Sequence, residues 1–105
     1  MTDKIYTIDE IKQIVFPIAK KYGVEKVYLF GSYARGEASS DSDVDLFITN
    51  YQRTIPFALA NMLADFEETL NKPVDLVTQT SIISNQRFND FSDNISKERM
   101  ILYGN

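Results

Sequence analysis

The sequence predicts an α/β (α+β) domain, a small mixed sheet covered by helices. Three observations lead there: short β-branched or aromatic runs stop at Gly-, Asn- or Asp-rich turns, apolar residues between them recur at helical spacing, and the two patterns alternate along the chain. The 105 residues are enough for one domain spanning residues 1–105 and too few for two independent cores.

Thr7 followed by Glu10 reads as a capping box. Ile8, Ile11, Ile14, Val15, Ile18 and Tyr22 then repeat as one helix face until Gly23 closes the run. Pro17 inside this run predicts a kink or an early stop near Phe16, because it removes a backbone donor. Lys26 to Phe30 is apolar on both faces and ends at Gly31, which suits a first strand within a covered sheet. The polar connection from Gly31 to Asp43 has room for a short helix over Ser32 to Arg35. Val44, Leu46 and Ile48 alternate with Asp43, Asp45 and Phe47, a second strand with acids on one side of its beginning.

After a turn at Asn50 to Arg53, Thr54 is the expected cap of a helix over Ile55–Leu70, carrying Phe57, Leu59, Met62, Leu63, Phe66 and Leu70 and ending near Asn71-Lys72-Pro73. Val74 to Val77 reads as a third strand, Ser84 to Lys97 as a weaker helix and Met100 to Tyr103 as a final strand.

Composition narrows the chemistry. With 44% hydrophobic residues the chain can bury a core without disulfides or a structural metal. It has no cysteine and no histidine, which removes thiolate chemistry, zinc sites of ordinary ligand type and any imidazole base. Catalysis would then rest on carboxylates, hydroxyls, cations or a hard metal ion bound through oxygen. Eleven Lys and Arg against fifteen Asp and Glu give a net charge of −4, so the basic field that drives direct nucleic-acid binding is missing. No secretory pattern stands at Met1 to Tyr6 and no apolar run reaches ~18 residues, so the expectation is a cytoplasmic protein that does not engage a membrane.

The segment from Gly31 to Asp45 concentrates the candidate chemistry. Gly31-Ser32 at a strand end offers backbone N–H groups, a hydroxyl and no Cβ, a plausible seat for a triphosphate, although such a pair is also an ordinary strand-to-loop turn. Asp43 and Asp45 at i and i+2 on a strand face the same way, with Cα atoms roughly 6.5–7 Å apart, so both carboxylates can reach one ion. A solvated turn would show the same pair. Asp75 is a third carboxylate between Val74 and Leu76, where a buried unpaired charge would be costly; the alternative is an exposed strand-end acid. Three such acids can hold two Mg²⁺ about 3.5–4 Å apart, the arrangement suited to displacement at phosphorus without histidine.

Gly31-Ser32, ten residues, then Asp43-Val44-Asp45 resembles the signature of the DNA polymerase β-like nucleotidyltransferase superfamily. Gly31 to Ala38 followed by Ser42 to Leu46 is more closely similar to the minimal nucleotidyltransferases (MNT), encoded beside HEPN-domain proteins as antitoxins. The resemblance implies a polymerase β-like fold and Mg²⁺-dependent transfer of AMP from ATP to a hydroxyl, expected to be a tyrosine of a HEPN ribonuclease toxin. It implies Asp43, Asp45 and Asp75 as metal ligands and catalytic residues, with Asp75 as possible base, and Gly31 and Ser32 as phosphate contacts. Arg35 is a further candidate for phosphate or partner. Relative to larger transferases of the superfamily a C-terminal helical domain is lacking, so a protein partner is expected to supply the missing wall. The competing expectations are a non-catalytic antitoxin that neutralises its partner by covering it, and transfer to a small molecule.

Overall fold

The computed structural model describes residues 4–78 and 99–104. Helix α1 (Ile8–Lys21) begins where the capping box predicts: Thr7 Oγ1 accepts from the Glu10 N–H at 3.1 Å, and Glu10 Oε1 accepts from the Thr7 N–H at 2.9 Å. The expected stop near Phe16 does not occur, and the helix runs through Pro17 to Lys21. The hydrogen bond that Pro17 forgoes belongs to the carbonyl of Gln13; both residues lie on the exposed side, where water can satisfy it.

Strand β1 (Val27–Phe30) leads directly into α2 (Gly31–Arg35), a single turn closed by Gly36 in the left-handed conformation, φ 74°. The Glu37 N–H donates to Ser32 O at 2.9 Å and the Gly36 N–H to Tyr33 O at 3.3 Å, a Schellman closure. Strand β2 (Val44–Ile48) follows, then α3 (Ala58–Leu70), β3 (Val74–Thr78) and β4 (Met100–Tyr103).

Helix α3 starts later than the sequence suggests. Thr54 is not its cap: Thr54 Oγ1 accepts from the Gln52 side chain at 2.8 Å, and the N-cap is Phe57, itself left-handed at φ 52°. Pro56 explains the delay, since a residue before proline is pushed out of the helical region and Ile55 therefore cannot begin the helix. The helix expected over Ser84 to Lys97 lies outside the described residues.

The sheet order is β3-β2-β1-β4. β1 pairs antiparallel with β2 and β4, whereas β2 and β3 are parallel, joined by α3 as a parallel pair requires. Val27, Leu29, Val44, Leu46, Ile48 and Val74 pack on one face against Ile11, Val15, Ile18, Met62, Phe66 and Leu70 of α1 and α3. Tyr22 Oη donates to Asp65 at 2.6 Å and ties the end of α1 to α3. Strand alternation then sends Phe30, Phe47 and Val77 to the opposite face, where they form a second small cluster, and carries Asp45 and Asp75 to that same side. The acids therefore sit clear of the main core. The architecture is the two-layer mixed sheet that the sequence predicts.

Candidate active site

The site forms where β1 ends and β2 and β3 begin. Asp45 lies opposite Phe30 in the β1–β2 pair and opposite Asp75 in the β2–β3 pair, so the two carboxylates come from adjacent strands at one level, with Cα atoms about 4.7–4.9 Å apart. Asp43 stands just before β2, outside the ladder, and its position depends on the loop from Glu37 to Ser42. Within that loop the Ser39 N–H donates to Ser42 Oγ at 2.8 Å and the Ser42 N–H to Ser39 O at 3.1 Å, a closed turn leading into Asp43.

Gly31 opens α2 at φ 74°, and a Cβ placed on it would fall 2.1 Å from Asp45 Oδ2 and 3.0 Å from Cγ. The group that approaches this glycine closely is therefore the Asp45 carboxylate, held against the turn where a side chain would displace it. Ser32, half-buried, is the second residue of α2. Arg35 is exposed and its Nε lies 3.0 Å from Glu37 Oε2, so the guanidinium is engaged at the rim.

Burial pushes the Asp45 carboxyl up to about 6, with repulsion from Asp75 and then Asp43 adding to it and the Arg35 charge opposing it. Three acids thus share one electrostatic neighbourhood. Asp75 is exposed, so the expectation that burial between Val74 and Leu76 marks it is corrected: the pleat turns it away from the core that those neighbours enter. Its distinction is its register opposite Asp45.

Among the described residues no three His, Cys, Asp or Glu side chains are already gathered to hold a metal ion. Asp45 lies against Gly31, while Asp43 and Asp75 are both exposed. The donor chemistry still fits a hard divalent cation: every oxygen is a carboxylate, and the mutual repulsion that raises Asp45 is what such an ion would relieve.

Two residues near the site carried no signal in the sequence. Lys72, 1% exposed, donates from Nζ to Ser40 O at 2.8 Å, and Glu67 Oε2 accepts from the Val74 N–H at 3.1 Å where β3 begins. Lys72 reads only as part of a helix-ending Asn-Lys-Pro, and Glu67 as one of several acids on α3. The Tyr33 hydroxyl, between Ser32 and Arg35, is buried with no hydrogen-bond partner among the described residues.

Comparison with known proteins shows the family. The family model described as "Nucleotidyltransferase domain" matches residues 8–103. A protein of Methanocaldococcus jannaschii, named as a candidate protein adenylyltransferase, is 39% identical over 75 residues, covering 71% of this chain and 81% of its own length. The protein adenylyltransferase MntA of Thermococcus cleftensis is 33% identical over 82 residues, covering 74% of this chain and 83% of its own. Among solved structures, a chain from the complex of a tri-AMPylated Shewanella oneidensis HEPN toxin with an MNT antitoxin superposes with a TM-score of 0.65 at 16% identity. That match covers 94% of this chain and 74% of the other, a likeness of fold.

Proposed function

Because the chain belongs to the nucleotidyltransferase domain family, we propose that it is an antitoxin that transfers AMP from ATP to a tyrosine hydroxyl of a cognate HEPN-domain toxin. The observation that supports this most directly is the register of Asp45 opposite Asp75, with Gly31 pressed on the Asp45 carboxylate. The relatives named as protein adenylyltransferases, and the tri-AMPylated toxin in the solved complex, support a protein as the acceptor.

In this reading Asp43, Asp45 and Asp75 would hold two Mg²⁺, and Gly31 and Ser32 would receive the nucleotide phosphates. Arg35 adds a positive charge at the rim of the same site. Bound Mg²⁺ would neutralise the triphosphate and lower the barrier to attack by a hydroxyl. The acceptor oxygen forms a bond to the α-phosphorus, the bond from that phosphorus to the bridging oxygen of the β-phosphate breaks, and pyrophosphate leaves. Asp75, the most accessible strand carboxylate, takes the hydroxyl proton. Use of ATP against a ribonuclease partner places the work in the cytoplasm. No described helix is long and apolar enough to cross a membrane.

Labelled ATP, a purified HEPN partner and the Asp43→Asn/Asp45→Asn double variant test the proposal. Both changes keep size while removing the ligand charge, so label transfer should fall by about three orders of magnitude or more while the complex still forms. If the double variant restrains the toxin as fully as the unmodified protein does, masking by contact is the mechanism and AMP transfer is not.

A further inference from the structure

We propose that Lys72 is a positioning residue of this site, tying the loop that carries Asp43 to the connection that carries Asp75 and so setting how those carboxylates receive Mg²⁺. The identity of the ion rests on the nucleotidyl-transfer reading above; the tether itself does not.

A lysine this deeply enclosed is uncommon, and moving its ammonium out of water is costly unless hydrogen bonds compensate. A methionine would occupy similar space without that cost. The ammonium donates to the carbonyl of Ser40, a residue 32 positions earlier in the chain, inside the closed Ser39–Ser42 turn. That turn leads into Asp43, which has no strand neighbour to place it.

A second contact comes from the adjacent residue: the Val44 N–H donates to Pro73 O at 3.0 Å. Asp43 is therefore bracketed, with Ser40 held by Lys72 and Val44 held by Pro73, and both anchors lie just before Asp75. On the other side, the Glu67 carboxylate takes the Val74 N–H and settles the entry of β3. The separation of Asp43 from Asp75 is thus set by this short connection together with the β2–β3 register beside it. Without the Lys72 contact the turn keeps its internal hydrogen bonds and Val44 keeps Pro73, but the Ser40 side of the bracket is released, so Asp43 is held from one side only.

Hydrogen exchange on the full chain without metal separates positioning from general stability. Lys72→Met is compared with Met62→Ala, a fully buried core change in α3 that weakens packing and leaves the tether intact. At a temperature where both are folded, amides from Glu37 to Asp43 should exchange about ten-fold or more faster in Lys72→Met than in Met62→Ala. The Mg²⁺ concentration that half-saturates binding of the ATP analogue AMP-PNP should rise on the order of ten-fold in Lys72→Met alone. Lys72→Arg, which keeps a cationic donor, should recover most of both effects. Equal loop exchange in the Met and Ala variants, or an unchanged Mg²⁺ requirement, overturns the proposal. If Lys72→Met does not fold, Lys72→Gln, uncharged and one bond shorter, carries the same comparison. If the unmodified protein shows no Mg²⁺-dependent binding of AMP-PNP, the functional reading fails, and the exchange measurement still decides the tether.

Discussion

Replacing Asp45 by Asn should stabilise the metal-free protein at neutral pH while abolishing its chemistry. Burial and two neighbouring carboxylates raise Asp45 from 3.8 to about 6. Below the lower value the group is protonated in folded and unfolded chains alike and contributes nothing to pH dependence. Between the two values the unfolded chain releases its proton and the folded chain keeps it, so stability falls as pH rises, and the loss is complete above about 6. A rise from 3.8 to about 6 corresponds at full weight to about 3 kcal/mol, and screening of this partly exposed carboxyl reduces it to about 1–2 kcal/mol. Asn keeps the shape that fits against Gly31 and does not ionise. Urea denaturation with a chelator at about pH 7.5 should therefore show Asp45→Asn more stable by about 1–2 kcal/mol, with the difference vanishing near pH 4. Added Mg²⁺ should narrow the gap by stabilising the unmodified chain. An Asn variant equal to or less stable than the unmodified protein at neutral pH without metal would refute the clustering of uncompensated charge.

Two further outcomes test the surroundings of that carboxylate. Gly31→Ala puts a Cβ 2.1 Å from Asp45 Oδ2 on a backbone at φ 74°, so a loss of about 1–3 kcal/mol in denaturation and at least ~100-fold in AMP transfer is expected; near-normal transfer would show that the carboxylate need not stay in place. Tyr33→Phe removes a buried hydroxyl with no partner among the described residues and should be neutral or stabilising by up to about 1–2 kcal/mol in urea; a clear loss of stability would mean the hydroxyl has a partner in solution.

The strands were legible because burial and alternation agree: Val44, Leu46 and Ile48 face the helices, and Asp45 is turned the other way. The Gly31 to Asp45 segment was legible because its spacing is local and its residue types are few. Element ends were less so. Pro17 does not stop a helix when the freed carbonyl faces water, and Pro56 delays one where Thr54 offered a good cap. Asp75 was singled out on the argument that it would be buried, whereas it is exposed and is distinguished by its cross-strand partner. Lys72 left no trace, because a side chain bound to a backbone carbonyl 32 residues away has no periodicity and requires no particular residue type at Ser40.

The parallel pairing of β2 with β3 joins the geometry of the candidate site to folding in a single constraint. Sliding β3 by one residue would turn Asp75 toward the helices and Leu76 away from them, exposing an apolar side chain and burying a charge together. Hydrophobic sorting therefore proofreads the alignment of the acids, and a chain that pairs these strands wrongly is penalised as a misfold before it can persist as a folded but inactive protein. A lost or gained residue between Asn71 and Pro73 would strike both properties at once, so changes of length there are far less tolerable than substitutions.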